Sequence, residues 1–478
     1  MLYVTSPALS DGSTHFTKIG FFSIFAAIMK NWKSILFIII ALVMVLSSCS
    51  KESIHGDGFN HAGNSNTEIP SRSESPEIRN VLLLYSAGYN SISTYLEEDI
   101  KDLKKGWIPG SGRNNNILLV YSHLPAKRAD YSTPNAPTLT RIWRDMDGST
   151  VIDTLITYPE QTYSATAGQL HKVLSFVKEE FPAKSYGMIF SSHATGYLPS
   201  GYYTKPYSYT FTEKPDISFR YGLGREITSP VPYHEPEYDP SLPAVKSIGQ
   251  DQVGTHGNYQ SYEIELDDFA KALPMHMEYI LFDACLMGGV EVAYELKDKC
   301  RYVGFSQTEV LAEGFDYTAL TTHLLGSTKP DPQAVCEDFF HQYDIQNGVY
   351  RSATISLVDC TKMKPLADVC HEMFTKYAAA LERLQPSKVQ RYYRGDYHWF
   401  YDLEDIVAKI GATEEEMQSL NEALDKCIMY KASTPEFMDS FAINVYSGFS
   451  MYLPTDGSTE LDKYYRTLEW NKATSLVK

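Results

Sequence analysis

The chain has 478 residues, of which 43% are hydrophobic, and a formal net charge of −17. That length and apolar content predict one large globular domain or two ordinary ones, and they exclude a generally disordered protein. Contacts to phosphate need clustered Lys and Arg, so for this acidic chain, which lacks a basic block, we expect no nucleic-acid partner.

The amino terminus has the pattern of an export signal. An apolar run from Ile35 to Leu46, preceded by Lys30 and Lys33, is about half as long as a membrane-spanning helix. It ends in the sequence LSSC, in which two small residues precede Cys49 as in a lipobox. We therefore predict a signal peptide over residues 1–48 and a diacylglyceryl lipid on the thiol of Cys49. The alternative is a short buried helix that happens to end in Cys.

The predicted fold begins only after a tether. Residues 1–28 precede Met29, which lies just before the charged residues of the signal. We interpret residues 1–28 as the result of a mis-assigned start codon or as an extension of the charged region of the signal peptide. Residues 49–77 are rich in Ser, Asn, Gly, Glu and Pro, which predicts a flexible tether. The protein is accordingly expected to be exported and held in the cell envelope by its lipid, on the outer membrane, facing the periplasm or the cell surface.

Short aliphatic strands alternate with amphipathic helices along the mature chain. In its amino-terminal half, strands are predicted over residues 81–88, 114–125, 138–146, 151–158 and 186–193, and helices over 91–107, with a Ser at the N-cap, and 164–182. Residues 198–250 are dense in Tyr, Pro, Gly and Ser and follow neither period, which predicts a long connection of the kind that is functional or mobile.

The carboxyl-terminal half continues the alternation. Helices are predicted over residues 263–274, 288–300, 331–346, 361–384 and 413–433 and from Thr459, and strands over 279–286, 301–307, 350–360 and 442–454. This order predicts an α/β fold with a mostly parallel sheet that helices cover on both faces. In such sheets the working site lies outside the carboxyl ends of the strands.

The cysteines that follow Cys49 fit neither a metal site nor a disulfide framework, because no CxxC or similar spacing occurs. We therefore predict no metal ligands among them, and we expect most to be small buried hydrophobic side chains. These residues are Cys285, Cys300, Cys336, Cys360, Cys370 and Cys427.

Two reactive side chains follow predicted buried strands. His193 ends the strand YGMIFSSH, and Cys285 ends ILFDAC just before two glycines and a helix. A Cys–His pair needs this placement, because the imidazole takes the thiol proton and the thiolate attacks a carbonyl carbon. Backbone N–H groups at the start of the following helix are expected to stabilise that thiolate. Each residue alone is more often structural, so the sequence pattern alone makes the pair a candidate only.

The segments that contain this pair resemble the clostripain family of cysteine peptidases. SSHATGYLP at 191–199, LFDACLMGGVEVAYEL at 281–296 and RYVGFSQTEVLAEGFDYTAL at 301–320 are similar to the family's His block, Cys block and following segment, in the same order. The resemblance implies a caspase–haemoglobinase-like α/β/α sandwich, with a catalytic domain over 78–390 and the rest of the same fold over 391–478. It also implies that His193 and Cys285 form a catalytic dyad.

The resemblance further implies how a substrate is bound. Asp283 would line the S1 pocket and pair with a substrate Arg or Lys, and Asp316 would add a second carboxylate. The backbone N–H groups of Ala194 and Cys285 would form the oxyanion hole. For Asp283 the structural alternative is a turn or cap residue, and for Asp316 a surface residue. Some family members need calcium, although no calcium-binding loop is recognisable here.

One position departs from the family pattern. Family members usually have Gly directly after the His, whereas here Ala194 follows, which would be strained if the position required a positive φ. His256, which does have Gly after it, is a rival base, but no buried strand precedes it. We therefore favour His193 as the base.

The 198–250 connection lies between the His and Cys segments, where family members are often matured by cleavage. Either self-cleavage after a basic residue or a plain surface insertion fits this stretch. The candidate cleavage positions are Lys205, Lys214, Arg220, Arg225 and Lys246.

Three functions fit the sequence. The first is a lipid-anchored endopeptidase that cleaves after basic residues and acts on proteins or peptides. The second is an inactive peptidase-like lipoprotein that binds peptide or another ligand, and the third is another hydrolase, such as an amidase, on the same fold.

Overall fold

The computed structural model of the protein describes residues 77–110, 115–203, 206, 208–213, 231–233, 248–255, 258–395 and 397–478. These residues fall within one compact unit, Glu74–Lys478. The predicted signal peptide, the lipidation site Cys49, the tether up to residue 76 and the rival base His256 lie outside the described residues. The candidate cleavage positions also lie outside them: Lys205, Lys214, Arg220, Arg225 and Lys246.

The strands and helices follow one another in the order that the sequence predicts for an α/β fold. The strands are β1 (Ile78–Ala87), β2 (Ile117–His123), β3 (Thr138–Arg144), β4 (Thr150–Thr157), β5 (Ala183–Ser191), β6 (Val231–Tyr233), β7 (Ile248–Thr255), β8 (Asn258–Ile264), β9 (Met277–Asp283), β10 (Cys300–Phe305), β11 (Thr354–Asp359), β12 (Tyr401–Asp402), β13 (Ile428–Ser433), β14 (Glu436–Phe437), β15 (Phe441–Ala442) and β16 (Ser450–Met451). The helices are α1 (Ser93–Lys105), α2 (Ala167–Glu180), α3 (Leu266–Ala272), α4 (Val290–Glu295), α5 (Leu320–Leu325), α6 (Pro332–Asp344), α7 (Met363–Lys376), α8 (Ala378–Leu381), α9 (Leu403–Lys409), α10 (Glu414–Cys427), α11 (Thr459–Tyr465) and α12 (Glu469–Thr474).

A nine-stranded sheet in the order β13-β11-β10-β9-β5-β1-β2-β3-β4 forms the centre of the fold. From β10 to β2 neighbouring strands are parallel, and the strands at the two edges are antiparallel. β1 is buried from Asn80 to Ala87 without the alternation of a one-sided sheet, as expected for a parallel strand covered on both faces. The predicted fold class, an α/β sandwich with a mostly parallel sheet, is confirmed.

Helices flank the sheet in two groups. One is a continuous set in which α2 packs on α3, α3 on α4, α4 on α12, α12 on α7 and α7 on α10. In the other, α5 packs on α6 and β1, and α6 packs on β11. The six cysteines from Cys285 onward are all free and buried, which confirms the prediction that they are small buried side chains.

The structure differs from the sequence prediction in several stretches, of which three involve strands. Strands β7 and β8 occupy the end of the predicted connection and part of the helix predicted over 263–274. The helix predicted over 413–433 ends at Cys427, and β13 follows it, paired with β11. The strand predicted over 442–454 is reduced to Ala442 in β15 and to β16.

Strand β7 was not predicted because its buried residues are mostly polar. Gln250, Asp251 and Gln252 are buried in β7 although they are polar. Their hydrogen bonds go to other segments, as between Asp251 Oδ2 and the N–H of Ala165 at 3.0 Å, and between Gln250 Nε2 and Ser261 Oγ at 2.8 Å. A strand whose buried side chains are polar has no apolar period by which a sequence could reveal it.

The loop after β5 and the loop after β9 touch at Gly196. This glycine has a φ of +58°, and a Cβ at this position would overlap the carbonyl oxygen of Leu286, which itself has a φ of 60°. Only Gly combines that backbone conformation with so close an approach of another backbone. The two loops that carry His193 and Cys285 are therefore packed against one another without an intervening side chain.

Replacing Gly196 by Ala is expected to lower the free energy of unfolding by about 2 kcal/mol or more, because the Cβ meets both an unfavourable φ and the Leu286 carbonyl. Urea unfolding followed by circular dichroism measures this change. Gly168→Ala is the matched control, because Gly168 lies in α2 with nothing within 4 Å of an added Cβ, and that change should be neutral or stabilising. Equal midpoints for the two variants would contradict the argument.

Candidate active site

The carboxyl ends of β5 and β9 lie side by side. Ser191 is in register with Asp283, and the N–H of Ser192 donates to the Asp283 carbonyl at 3.3 Å. His193 and Cys285 each follow two residues later, so parallel pairing brings both to one edge of the sheet. The two side chains line a single narrow cavity together with Asp283.

The thiol of Cys285 is buried and neutral in this state. Its Sγ accepts a hydrogen bond from the N–H of Val310 at 3.3 Å. Burial, reinforced by the negative charge of Glu309, raises the pKa of the Cys285 thiol to about 12. The backbone N–H that contacts the sulfur therefore belongs to the loop after β10. It does not belong to helix α4, which begins only at Val290 and which the sequence interpretation expected to supply it.

His193 is buried beside this thiol, and Ala194 follows it without strain. The exposed fraction of His193 is 1% and that of Ala194 is 0%. Ala194 is not among the residues with a positive φ, whereas Gly196 is. The Gly-to-Ala departure noted in the sequence therefore causes no backbone strain, because the turn places its left-handed residue two positions later.

The cavity is lined by two carboxyl groups. Asp283 at the end of β9 is buried, and its Oδ2 accepts a hydrogen bond from the Tyr317 hydroxyl at 2.7 Å. Burial raises the pKa of Asp283, while the hydrogen bonds from Tyr317 and from the backbone of Phe315 oppose that shift. Asp99 on α1 lines the same cavity, and its pKa is raised by burial and by repulsion from Asp283. The pocket next to the thiol is therefore acidic and lacks a cation of its own among its lining residues.

Asp316 is not brought to this cavity. Its side chain is exposed, and its Oδ1 accepts hydrogen bonds from the N–H groups of Thr318 and Ala319, each at 3.0 Å. This is the surface role that the sequence left open as an alternative. Asp99 is the second carboxyl group of the site instead, and the sequence interpretation missed it because an Asp in an amphipathic helix is normally a solvated charge. The position of α1, directly after the carboxyl end of β1, was the available signal.

A buried ion pair lies behind the thiol. Arg394 Nε donates to Glu309 Oε1 at 2.6 Å, and the side chains of Arg394 and Glu309 are only 13% and 1% exposed. Glu309 immediately precedes Val310, which contacts Cys285. Next to Arg394, the hydroxyl groups of Tyr393 and Tyr203 are hydrogen-bonded at 2.6 Å. The carboxyl-terminal part of the chain thus reaches the environment of the predicted nucleophile.

Neither a metal site nor a membrane span is found in the part of the chain that the structure describes. Within it, no group of three or more His, Cys, Asp or Glu side chains is arranged to hold a metal ion. Over the same residues, every helix is too short or too polar to cross a bilayer.

Known proteins share both the sequence pattern and the fold. The model of the clostripain family matches residues 84–216 and 235–476, whereas no curated protein matches the chain. An inactive zymogen C11 protease from Parabacteroides distasonis is 27% identical, with a TM-score of 0.64 over 84% of this chain and 99% of that one.

A second solved structure shows the same fold. A secreted C11 cysteine protease from Bacteroides thetaiotaomicron is 22% identical, with a TM-score of 0.62 over 83% of this chain and 99% of that one. The same kind of protease from that organism in complex with an irreversible peptide inhibitor has a TM-score of 0.60 over 83% of this chain and 99% of that one, also at 22% identity. With most of its described residues matched by the family model, this chain belongs to the clostripain family of cysteine peptidases.

Proposed function

We propose that the protein is a lipid-anchored cysteine endopeptidase that cleaves peptide bonds after Arg or Lys, with Cys285 as nucleophile and His193 as base. The observation that carries this proposal is one cavity lined by Cys285, His193 and the carboxyl groups of Asp283 and Asp99. Nucleophile, base and a cation-binding pocket are the three parts that such a reaction requires.

The chemistry begins from a neutral thiol, because burial raises the pKa of Cys285 to about 12. His193 takes the thiol proton as Sγ attacks the substrate carbonyl carbon, and backbone N–H groups of Ala194 and Cys285 stabilise the resulting oxyanion. The imidazolium then gives its proton to the departing amine, which leaves a thioester on Cys285. Water attacks the thioester as His193 takes a proton from it. The C–S bond then breaks, the carboxylic acid product leaves, and the imidazolium returns its proton to Sγ, which restores the Cys285 thiol.

Specificity for basic residues rests on the acidic pocket. Asp283 lies two residues before the nucleophile and is buried, so a substrate cation that reaches it forms a desolvated, charge-assisted hydrogen bond. A cation in the pocket would also relieve the repulsion between Asp283 and Asp99, which favours ionisation of both. A neutral or acidic P1 side chain would give these carboxyl groups no cationic partner, so it would bind more weakly than Arg or Lys.

Attachment to the membrane rests on the sequence around Cys49 alone. The charged residues, the apolar run and the lipobox occur in the order that a lipoprotein signal requires. The proposed location is the outer membrane, on its periplasmic or its surface side. Such an anchor keeps the catalytic unit at the envelope while the tether over residues 49–77 lets it reach protein substrates.

Replacing Cys285 by Ala is expected to abolish turnover of fluorogenic peptides, because the thioester cannot form. A panel with Arg, Lys, Ala or Asp at P1 should be cleaved by wild type only at the basic residues. Cys370→Ala is the matched control, since Cys370 is also a free buried cysteine but lies on α7, and it should retain activity. Absence of turnover by wild type on every peptide, even after limited proteolysis, would favour a peptide-binding lipoprotein instead.

Asp283→Asn is expected to lower kcat/KM for an Arg substrate by about a hundredfold, because one partner of a buried charge pair is lost. Steady-state kinetics with that substrate measures the change. Asp368→Asn, a change of the same chemistry at an exposed residue of α7 that pairs with Lys364, serves as the control and should leave kcat/KM unaltered. Basic specificity that survives in Asp283→Asn would overturn this assignment of the pocket.

Cys49→Ser is expected to release the protein from the membrane, because a hydroxyl group cannot take the diacylglyceryl lipid. In cell fractionation, wild type should sediment with membranes, and mass spectrometry of its amino-terminal peptide should show lipid on Cys49. Ser50→Ala, next to the lipidation site, controls for a general effect on export. Wild type recovered in the soluble fraction, with an unmodified Cys49, would disprove the anchor.

A further inference from the structure

We propose that Ser91, held in place by the buried side chain of Asn90, is a positioning residue for His193. The inference deepens the proposed function and rests on it, because it assigns to Ser91 the task of orienting the base. It concerns the loop between β1 and α1, a segment to which the sequence interpretation gave no part in the chemistry.

The hydroxyl of Ser91 contacts the imidazole directly. Its Oγ lies 2.9 Å from His193 Nε2, which is the distance of a well-formed hydrogen bond. A ring nitrogen has one in-plane direction for a hydrogen bond, so Nε2 is engaged by this contact, and the proposed mechanism assigns the proton exchange with Cys285 to Nδ1. For Nδ1 to accept that proton, Nε2 must carry the other one, and Nε2–H then donates to Ser91 Oγ.

Ser91 is available for this role because it does not cap helix α1. The sequence predicts a Ser at the N-cap, but the helix begins at Ser93, its N-cap position is Ile92, and no side chain caps it. Ser91 is exposed, so its placement is not explained by packing in the core. Among the described residues, the side chain of Ser91 is hydrogen-bonded to His193.

Asn90 fixes the backbone that carries Ser91. Its side chain is fully buried and is hydrogen-bonded to several segments, which holds the loop in place. Nδ2 donates its two hydrogens to the carbonyl groups of Ala87 and Gln250, each at 2.9 Å, and lies 3.4 Å from Ser192 Oγ, while Oδ1 accepts from the N–H of Ile92 at 3.1 Å. Asn90 therefore ties the end of β1 and the start of β7 to the residue just before His193.

The same residues hold the His193 backbone. Ser192 Oγ donates to the Ala87 carbonyl at 2.6 Å and accepts from the N–H of Gln250 at 3.1 Å. The carbonyl of His193 accepts from the N–H of Gly249 at 2.9 Å. Ser91 and His193 are thus attached to one buried network, so the distance between hydroxyl and imidazole is set before any substrate arrives.

The hydrogen bond gains strength during the reaction. When the thiol proton moves from Sγ to Nδ1, the imidazole becomes a cation, and its Nε2–H donates to Ser91 Oγ as a charged donor. The bond therefore stabilises the state that follows proton transfer more than the state before it, which raises kcat and leaves substrate binding unchanged. When the imidazolium returns its proton to the leaving amine, the bond returns to its neutral form.

Ser91→Ala is expected to lower kcat about tenfold with KM within about twofold of wild type, which is the effect of losing one hydrogen bond to a charged group. Ser91→Thr, which keeps the hydroxyl, should restore most of the rate. Thr94→Ala, in the first turn of α1, is the control for a change in this segment and should behave as wild type. Equal melting temperatures would show that the loss is not one of folding.

Alkylation of Cys285 by iodoacetamide tests the inference without peptidase activity. In that reaction the Sγ–C bond forms, iodide leaves and the thiol proton passes to His193, so the rate depends on the same proton transfer. Peptide mapping by mass spectrometry should show slower alkylation in Ser91→Ala than in wild type or Thr94→Ala, by about tenfold, with recovery in Ser91→Thr.

The two assays separate the inference from the proposed function. If wild type cleaves no peptide, the proposed function fails, and the alkylation rates alone decide the role of Ser91. If wild type cleaves basic peptides but Ser91→Ala has the kcat of Thr94→Ala, the proposed function stands and the inference is overturned. An equal loss in Ser91→Thr and Ser91→Ala would also overturn it, because the hydroxyl would then not be the cause.

Discussion

The register between β5 and β9 is the constraint on which the site depends. Because these parallel strands pair Ser191 with Asp283, the residues that follow each strand emerge together at one edge of the sheet. A slip of one residue would turn every side chain of a strand to the opposite face, so a buried pair of strands tolerates no such error. The contact of Gly196 with the Leu286 carbonyl then fixes how the two following loops pass one another.

The site concentrates polar groups that are costly to bury. Cys285, Asp283 and Glu309 all lie inside the protein, and burial raises the pKa of each. Hydrogen bonds from Tyr317 to Asp283 and from Arg394 to Glu309 offset part of this cost. The partners come from distant parts of the chain, so the fold as a whole holds these groups in an environment that no short segment could provide. A neutral thiol next to an acidic pocket is a resting state, and in the proposed mechanism its reactivity depends on the imidazole of His193.

Much of the fold could be predicted from the sequence, because the central strands are long aliphatic runs and the helices are amphipathic. The same patterns placed His193 and Cys285 at strand ends. The patterns failed for strands that depend on partners distant in sequence. β13 pairs with β11, which lies much earlier in the chain. β7 buries polar residues that form hydrogen bonds with other segments. Local periodicity carries no information about either partner.

Some residues of the candidate site could be predicted from the sequence, and others could not. Asp283 was implied by the resemblance of its segment to the clostripain family, whereas Asp99 lines the cavity from α1 and Ser91 contacts His193 from the loop before that helix. Asp316 is near Asp283 in sequence, but its carboxylate turns outward to bind the N–H groups that begin the turn before α5. For residues beyond the end of a strand, closeness in sequence therefore did not predict closeness in space, because the loop conformation decides where a side chain points.

The order of the strands in the sheet brings together two segments that are far apart along the chain. His193 belongs to the segment before the long connection and Cys285 to the segment after it, yet β5 and β9 are direct neighbours in the sheet. Hydrogen bonds between these strands, and between β7 and the His193 loop, join the two segments at the site itself. The peptide bonds of the connection are therefore not what keeps base and thiol together. Two separate polypeptides, divided anywhere between residues 214 and 230, would retain every one of these contacts and would still hold His193 and Cys285 at one edge of the sheet.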